Sequence, residues 1–347
     1  MLKRGCFTKE WIEKIRIENP PADPTIIEKT IYAFELISQL VKHKLDFIFK
    51  GGTSLILIFD KPKRLSIDVD ITTEAESSKI EKTLDEITKD SLYTGWVEDP
   101  RKISKIPKKH YKMNFNSIIN PGHNSYILLD VLFQKNPYPS IISKNISNRF
   151  IEMEESLECN ISSVNSLLGD KLTAFAPKTT GIPFGADKSM EINKQLFDIG
   201  ELFDLADNIY EIEKSFNNFF EIESGYREKE ISPNDVISDI IETSFLISQL
   251  RLKGCKENEN TNEFISGMQK LRSHLIGSTY NLENAKLNSA KAAFIVSSFQ
   301  GKENFNMDKA FDISRINNLK LPDNFIVLER LKNIQPDVYY LWQKITQ

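Results

Sequence analysis

Past about residue 160 the chain changes its hydrophobic period. Leu167–Ala176, Asn193–Ala206, Ser232–Leu252, Thr261–Leu275, Leu282–Ser298 and Phe325–Ile345 all carry apolar residues at helical spacing, with few strand signals among them. Before that point, short runs of period two are interleaved with helical segments. A strand hides alternate residues and a helix every third or fourth, so a chain with the two patterns segregated builds a mixed part and a helical part. The expected architecture is α+β: an α/β domain over 1–165 and an all-α bundle over 166–347. With 347 residues, 40 % of them hydrophobic, the chain can fill two cores.

Within the first part, Asp23-Pro24 supplies an N-cap and a first-turn proline for a helix over 24–43, with Ile27, Ile31, Phe34, Ile37 and Val41 on one face. Leu45–Phe49 reads as a short buried strand, broken by Gly51-Gly52, with a helix over Thr53–Phe59. Leu65–Thr72 alternates cleanly: Leu65, Ile67, Val69 and Ile71 face one way, Ser66, Asp68 and Asp70 the other. A helix follows over 78–90. His110–Ile119 and Tyr126–Gln134 read as strands joined by a turn at Asn120-Pro121-Gly122.

The chemistry concentrates around that first alternating strand. Two glycines between a strand and a helix permit a tight turn and close approach of a ligand to the backbone. The helix N-terminus presents unsatisfied N–H groups that attract phosphate, so Gly51, Gly52, Thr53 and Ser54 form a candidate nucleotide cradle. Asp68 and Asp70, two apart on a strand, point the same way and can hold a hard divalent cation such as Mg²⁺ or Mn²⁺ through oxygen. A phosphate cradle beside a metal-holding pair is what transfer of a nucleotide from an NTP requires. Asp130 is the candidate third carboxylate, as metal ligand or base. It is the one acid in the apolar run Tyr126–Phe133, where burial is costly without a partner.

Charge and composition exclude several classes. A net charge of −4 is too small in magnitude and of the wrong sign for general nucleic-acid binding. Any RNA contact must be local, and Arg101, Lys102, Lys105, Lys108, Lys109 and Lys112, with Tyr111 among them, form the one dense basic run. Lys105, Lys108 and Lys109 are its candidate RNA-binding residues. Cys6, Cys159 and Cys255 are scattered and odd in number, and only four histidines are present, which argues against a zinc site and for a reducing compartment. The sequence has no run of about 18 apolar residues and no signal-like start, so no membrane association and a cytoplasmic location are expected.

The Lys50–Leu55 turn, the Arg64-x-Ser66-x-Asp68-x-Asp70 strand and the later Asp130 together resemble the DNA polymerase β-like nucleotidyltransferase superfamily. More narrowly, with Gly169-Asp170-Lys171-Leu172 and the helix Lys194–Asp204 behind them, they resemble the AbiEii/AbiGii toxin family of abortive-infection, phage-defence and toxin–antitoxin systems. The likeness covers roughly 25–210. It implies a metal-dependent, pyrophosphate-releasing nucleotidyltransferase whose metal and nucleotide site includes Ser66, Asp68 and Asp70. Lys171, near the start of its helix, would reach the triphosphate; Asp198 would assist catalysis or position Lys171. Many relatives carry arginine where this chain has Phe197. The resemblance also implies an RNA acceptor, foremost the 3′ end of tRNA, and a cognate antitoxin. Transfer onto a protein side chain, or non-catalytic binding of RNA or a partner on the same fold, are the alternatives.

Overall fold

The computed structural model of the chain describes residues 1–100, 106–226, 230–255, 257–300, 316 and 320–346. It divides into two compact units. The first comprises Met1–Asn136, Ser140–Ser163 and Ser273–Thr279; the second Pro137–Pro139, Val164–Arg272 and Tyr280–Gln347.

The first unit is built on a seven-stranded mixed sheet: β1 (Ile48–Lys50), β2 (Val69–Thr73), β3 (Tyr93–Glu98), β4 (Lys108–Asn116), β5 (Asn124–Phe133), β6 (Ile141–Asn145) and β7 (Glu158–Ser162), in the order β3-β4-β5-β2-β1-β7-β6. The pairs β2·β5 and β1·β7 are parallel; the other neighbours are antiparallel. Helices α1 (Lys9–Glu18), α2 (Pro24–Lys42), α3 (Gly51–Ile58) and α4 (Ser77–Asp90) complete it. Asp23 caps α2 as expected, its carboxylate accepting from the N–H groups of Thr25 (2.8 Å) and Ile26 (3.3 Å). The apolar face of α2 (Ile27, Ile31, Phe34, Ile37, Leu40) joins Val69, Ile71, Tyr111, Met113, Phe115, Ile127, Leu129 and Val131 of the central strands in one core. One sheet face is thereby sealed, and period two leaves the residues between them on the other.

Two local expectations shift. The first alternating strand begins only at Val69, so Ser66 and Asp68 lie on the extended segment leading into it. That segment is pinned by residues far along the chain. Leu65 N–H donates to the His274 carbonyl (2.7 Å), Ile276 N–H to that of Lys63 (2.9 Å), and Arg64 bridges to Leu275. The sequence carries helical period through Leu275, yet the helix there stops at Lys270, a 3₁₀ turn follows, and Ser273–Thr279 joins the first unit. Leu275 and Ile276 are apolar enough for either fate; their pairing with residues 63–65 decides it.

The second unit is helical: α5 (Val164–Ala174), α6 (Ser189–Phe203), α7 (Ile209–Gly225), α8 (Pro233–Ser248), α9 (Glu259–Lys270), α10 (Leu282–Ser297), α11 (Leu331–Ile334) and α12 (Pro336–Ile345). Ser232 caps α8 in a reciprocal capping box with Asp235. The expected helix over Phe325–Ile345 is divided into a 3₁₀ segment, α11 and α12, and the break between α11 and α12 falls at Pro336, which has no N–H to continue the ladder. Trp342 is buried in this unit's core with its indole N–H on Ser248 (2.9 Å). No helix among the described residues is long and apolar enough to cross a membrane. Cys6, Cys159 and Cys255 are all unpaired by disulfides, and burial, reinforced by the Glu158 charge, pushes the Cys159 thiol up to about 12.

Candidate active site

Lys50 ends β1 and α3 starts at the next residue, with Gly51 at φ +74°, a left-handed conformation that costs glycine little. A second reason for glycine is spatial. A Cβ at Gly51 would overlap the Asp70 carboxylate, and one at Gly52 would lie 2.6 Å from Nη2 of Arg64 and 2.9 Å from Oγ of Ser66. Asp70, Arg64 and Ser66 therefore lie directly against the double-glycine turn. Thr53 and Ser54, both fully buried, turn their hydroxyls back into the protein: Thr53 donates to the Asp68 carbonyl (2.5 Å) and Ser54 to that of Gly51 (2.9 Å). Their side chains lock the turn, so an anion at the start of α3 would meet backbone N–H groups and not these hydroxyls. Gly51→Ala is therefore expected to lower activity by at least tenfold while also destabilising the chain by about 1–2 kcal/mol through the left-handed φ, measured by NTP incorporation beside a thermal melt. An unchanged variant would mean that the Asp70 carboxylate need not lie against this turn.

Strand register assembles the carboxylates. Asp70 pairs with Lys50 across β1·β2 and with Asp130 across β2·β5, and Asp130 pairs with His110 across β4·β5. Partners in register share a face, so Lys50, Asp70, Asp130 and His110 form one row across four strands, on the face opposite the core. Asp130 is 8 % exposed, with Lys108 Nζ 2.6 Å from one oxygen and His110 Nδ1 2.5 Å from the other. Burial by itself would raise its carboxyl, but Lys108 and His110 outweigh burial and hold it below the usual carboxylate range. Asp130 thus stands as a carboxylate in register with Asp70, with both oxygens engaged. Among the described residues no three His, Cys, Asp or Glu side chains are gathered as a metal site.

The two remaining candidates belong to the second unit. Lys171 of α5 and Asp198 of α6 form an ion pair at 2.9 Å, with side chains 7 % and 1 % exposed. Lys171 lies in the last turn of α5 rather than near its start, because the helix begins at Val164. Gly169 precedes it for packing: a Cβ there would strike the α7 backbone at Ile212 and Phe216. Asp170 accepts from the Tyr138 hydroxyl (2.5 Å) and Asp204 pairs with Lys291 (2.7 Å), which gives both a structural use. Phe197, where relatives were expected to carry arginine, packs edge-on against the Tyr280 ring. Asp198 pairs instead with Lys171.

The basic run is largely engaged by acids. Lys105 lies outside the described residues, together with Arg101 and Lys102. Lys108 binds Asp130, Lys109 binds Glu81 (2.9 Å) and Glu98 (3.2 Å), and Lys112 binds Asp99 (2.8 Å). Tyr111 is fully buried. Sequence reasoning missed His110 and the proximity of Arg64, 6 % exposed, to the turn. A histidine and a lysine two residues apart, hence on one face of the strand, were the available signal.

Comparison with known proteins fits this geometry. The model of the nucleotidyl transferase AbiEii toxin family, of type IV toxin–antitoxin systems, matches residues 36–275. No curated protein matches the sequence. Among solved structures, the nucleotidyltransferase toxin MenT4 of Mycobacterium tuberculosis H37Rv superposes with a TM-score of 0.51 at 8 % identity, covering 98 % of this chain and 99 % of its own. A candidate nucleotidyltransferase of H. pylori gives a TM-score of 0.45 at 14 % identity, covering 80 % and 99 %. The likeness to MenT4 is one of fold; the match over more than half of the chain carries the assignment. The chain belongs to the AbiEii family of nucleotidyltransferase toxins.

Proposed function

We propose that the protein transfers a nucleoside monophosphate from an NTP to the 3′ end of an RNA, foremost tRNA, and that the transfer is its toxic act. The acceptor oxygen forms a bond to the α-phosphorus, the α–β bridging bond breaks, and pyrophosphate leaves with the electron pair. The observation that carries the reading is the Asp70 carboxylate lying against the Gly51 turn, in register with Asp130. Carboxylate and phosphate oxygens close together at that helix terminus repel one another, and a divalent cation between them turns the repulsion into attraction. Asp68 and Asp70 offer the all-oxygen donors that suit Mg²⁺ or Mn²⁺, and the missing Cβ of Gly51 lets the Asp70 carboxylate lie against the turn. Such a cation, when bound, neutralises charge on the reacting phosphate. Ser66, whose hydroxyl lies against Gly52, donates to a phosphate oxygen in this reading. Asp130, held ionised by Lys108 and His110, orients the acceptor hydroxyl or takes its proton. On the family resemblance, Lys171 serves the triphosphate and Asp198 holds Lys171. A cognate antitoxin would silence the activity.

Incubation with each labelled NTP, Mg²⁺ and total RNA tests this. Label at tRNA size is expected; label on protein alone, or on nothing, would sink the RNA acceptor. Excess EDTA should abolish incorporation, Mg²⁺ or Mn²⁺ should restore it, and Zn²⁺ should restore it poorly for want of His or Cys ligands. Full activity in chelator would refute the cation assignment to Asp68 and Asp70.

A further inference from the structure

Tyr126 is a large ring left at the surface of β5, 41 % exposed, while the ring of Tyr111 on the neighbouring strand is buried. It shares a sheet face with the candidate site, since Tyr126, Leu128 and Asp130 alternate outward along β5. Register sets Asn114 opposite Tyr126, Lys112 opposite Leu128 and His110 opposite Asp130. Four residues of strand put Tyr126 about 13 Å from Asp130. Two ammonium groups attend the ring: Lys29 Nζ, from α2, at 5.0 Å from its centroid and Lys112 Nζ at 5.2 Å. Lys112 also binds Asp99. No carboxylate pairs with Lys29 among the described residues, so its charge is held by the ring alone.

We infer that Tyr126, with Lys29 and Lys112, is the platform on which the single-stranded end of the RNA acceptor lies as it runs toward Asp130. The inference rests on the RNA acceptor proposed above and says where that strand binds. The chemistry is specific to a nucleic-acid strand. An aromatic face stacks any base, and cations beside it meet the backbone phosphates. The neighbouring Asn114, Asn116 and Asn124 on the same face can donate and accept hydrogen bonds, and among the described residues of β3, β4 and β5 the apolar ones on that face are Leu128, Leu132 and the exposed Val97. A protein-docking face would instead need a contiguous apolar centre. Within the basic run Lys112 is the cation the structure sets over this ring, while Lys108 and Lys109 are engaged by Asp130, Glu81 and Glu98.

The test uses the full chain and a short single-stranded oligoribonucleotide followed by fluorescence anisotropy. Tyr126→Ala should weaken binding about tenfold, and Tyr126→Phe should stay within about twofold, since stacking needs the ring and not the hydroxyl. Lys29→Gln should weaken binding and lower the slope of log affinity against log salt by about 0.7. In transfer, the Tyr126→Ala loss should fall on KM for RNA and not on kcat. Equal affinity of Tyr126→Ala and wild type, or no RNA binding by wild type, overturns the platform. Transfer to RNA that is indifferent to Tyr126 overturns the platform and leaves the proposed function standing. Tyr126-dependent binding without transfer keeps the platform and overturns the acceptor reading.

Discussion

Asp70→Asn is expected to reduce nucleotide incorporation by about 10³-fold or more, with the melting temperature within a few degrees of wild type. The amide keeps the size of the carboxylate and removes the charge a divalent cation needs. Asp70 is only partly buried and lies over the Gly51 turn, so no apolar packing is lost. Losing a negative charge close to Asp130, in register one strand away, relieves like-charge repulsion and offsets part of any lost hydrogen bonding. Asp68→Asn should behave alike, because its backbone carbonyl, and not its side chain, receives the Thr53 hydroxyl. Steady-state incorporation beside a thermal melt decides the matter. A near wild-type rate in either variant would remove that residue from the site, and a collapse of the fold in both would mean that the carboxylates are structural.

Lys171→Ala should abolish transfer and also cost about 3–5 kcal/mol of stability, because it removes one partner of a buried ion pair. An exposed lysine would contribute under about 0.5 kcal/mol, so burial at 6 % decides which magnitude applies. The loss corresponds to a melting midpoint lower by roughly 10 °C. That coupling would hide a catalytic role behind misfolding. The double variant Lys171→Met/Asp198→Leu separates them: replacing a buried ion pair with apolar side chains of similar size is often neutral or stabilising. Its melt should return to within about 2 kcal/mol of wild type while transfer stays absent. Lysine has three N–H donors, and among the described residues Asp198 is the one acceptor found for them, so donor capacity remains for an anionic ligand. A double variant with wild-type kinetics would make the pair a packing device only.

Several parts of this arrangement were legible from local pattern. Period two marks a strand around Val69–Thr73 and sets Asp70 opposite Val69 and Ile71, and the double glycine marks the strand-to-helix turn, whatever the rest of the chain does. Asp23-Pro24 and Ser232-Pro233 announce their helices because a cap acts within four residues. Other elements left little trace. The edge strand Ile141–Asn145 is mostly exposed and does not alternate, and Glu158–Ser162 is too short for a period to register.

By itself, then, the sequence determined which residue types stand together at short range: the carboxylate pair, the glycine turn, the helical second part. Tertiary structure decided everything that joins distant segments. Parallel pairing of β2 with β5 sets Asp130 beside Asp70 across sixty residues of chain, and antiparallel pairing with β4 turns Lys108 and His110 from a basic run into partners of Asp130. Packing of α5 on α6 makes Lys171 and Asp198 a buried pair, and the return of Ser273–Thr279 fixes the segment that carries Ser66 and Asp68. The physical reason is that a strand's own periodicity fixes which face each residue takes but not which strand lies beside it. Register is settled by the whole buried face at once, and a charged side chain's fate depends on what that register brings within reach.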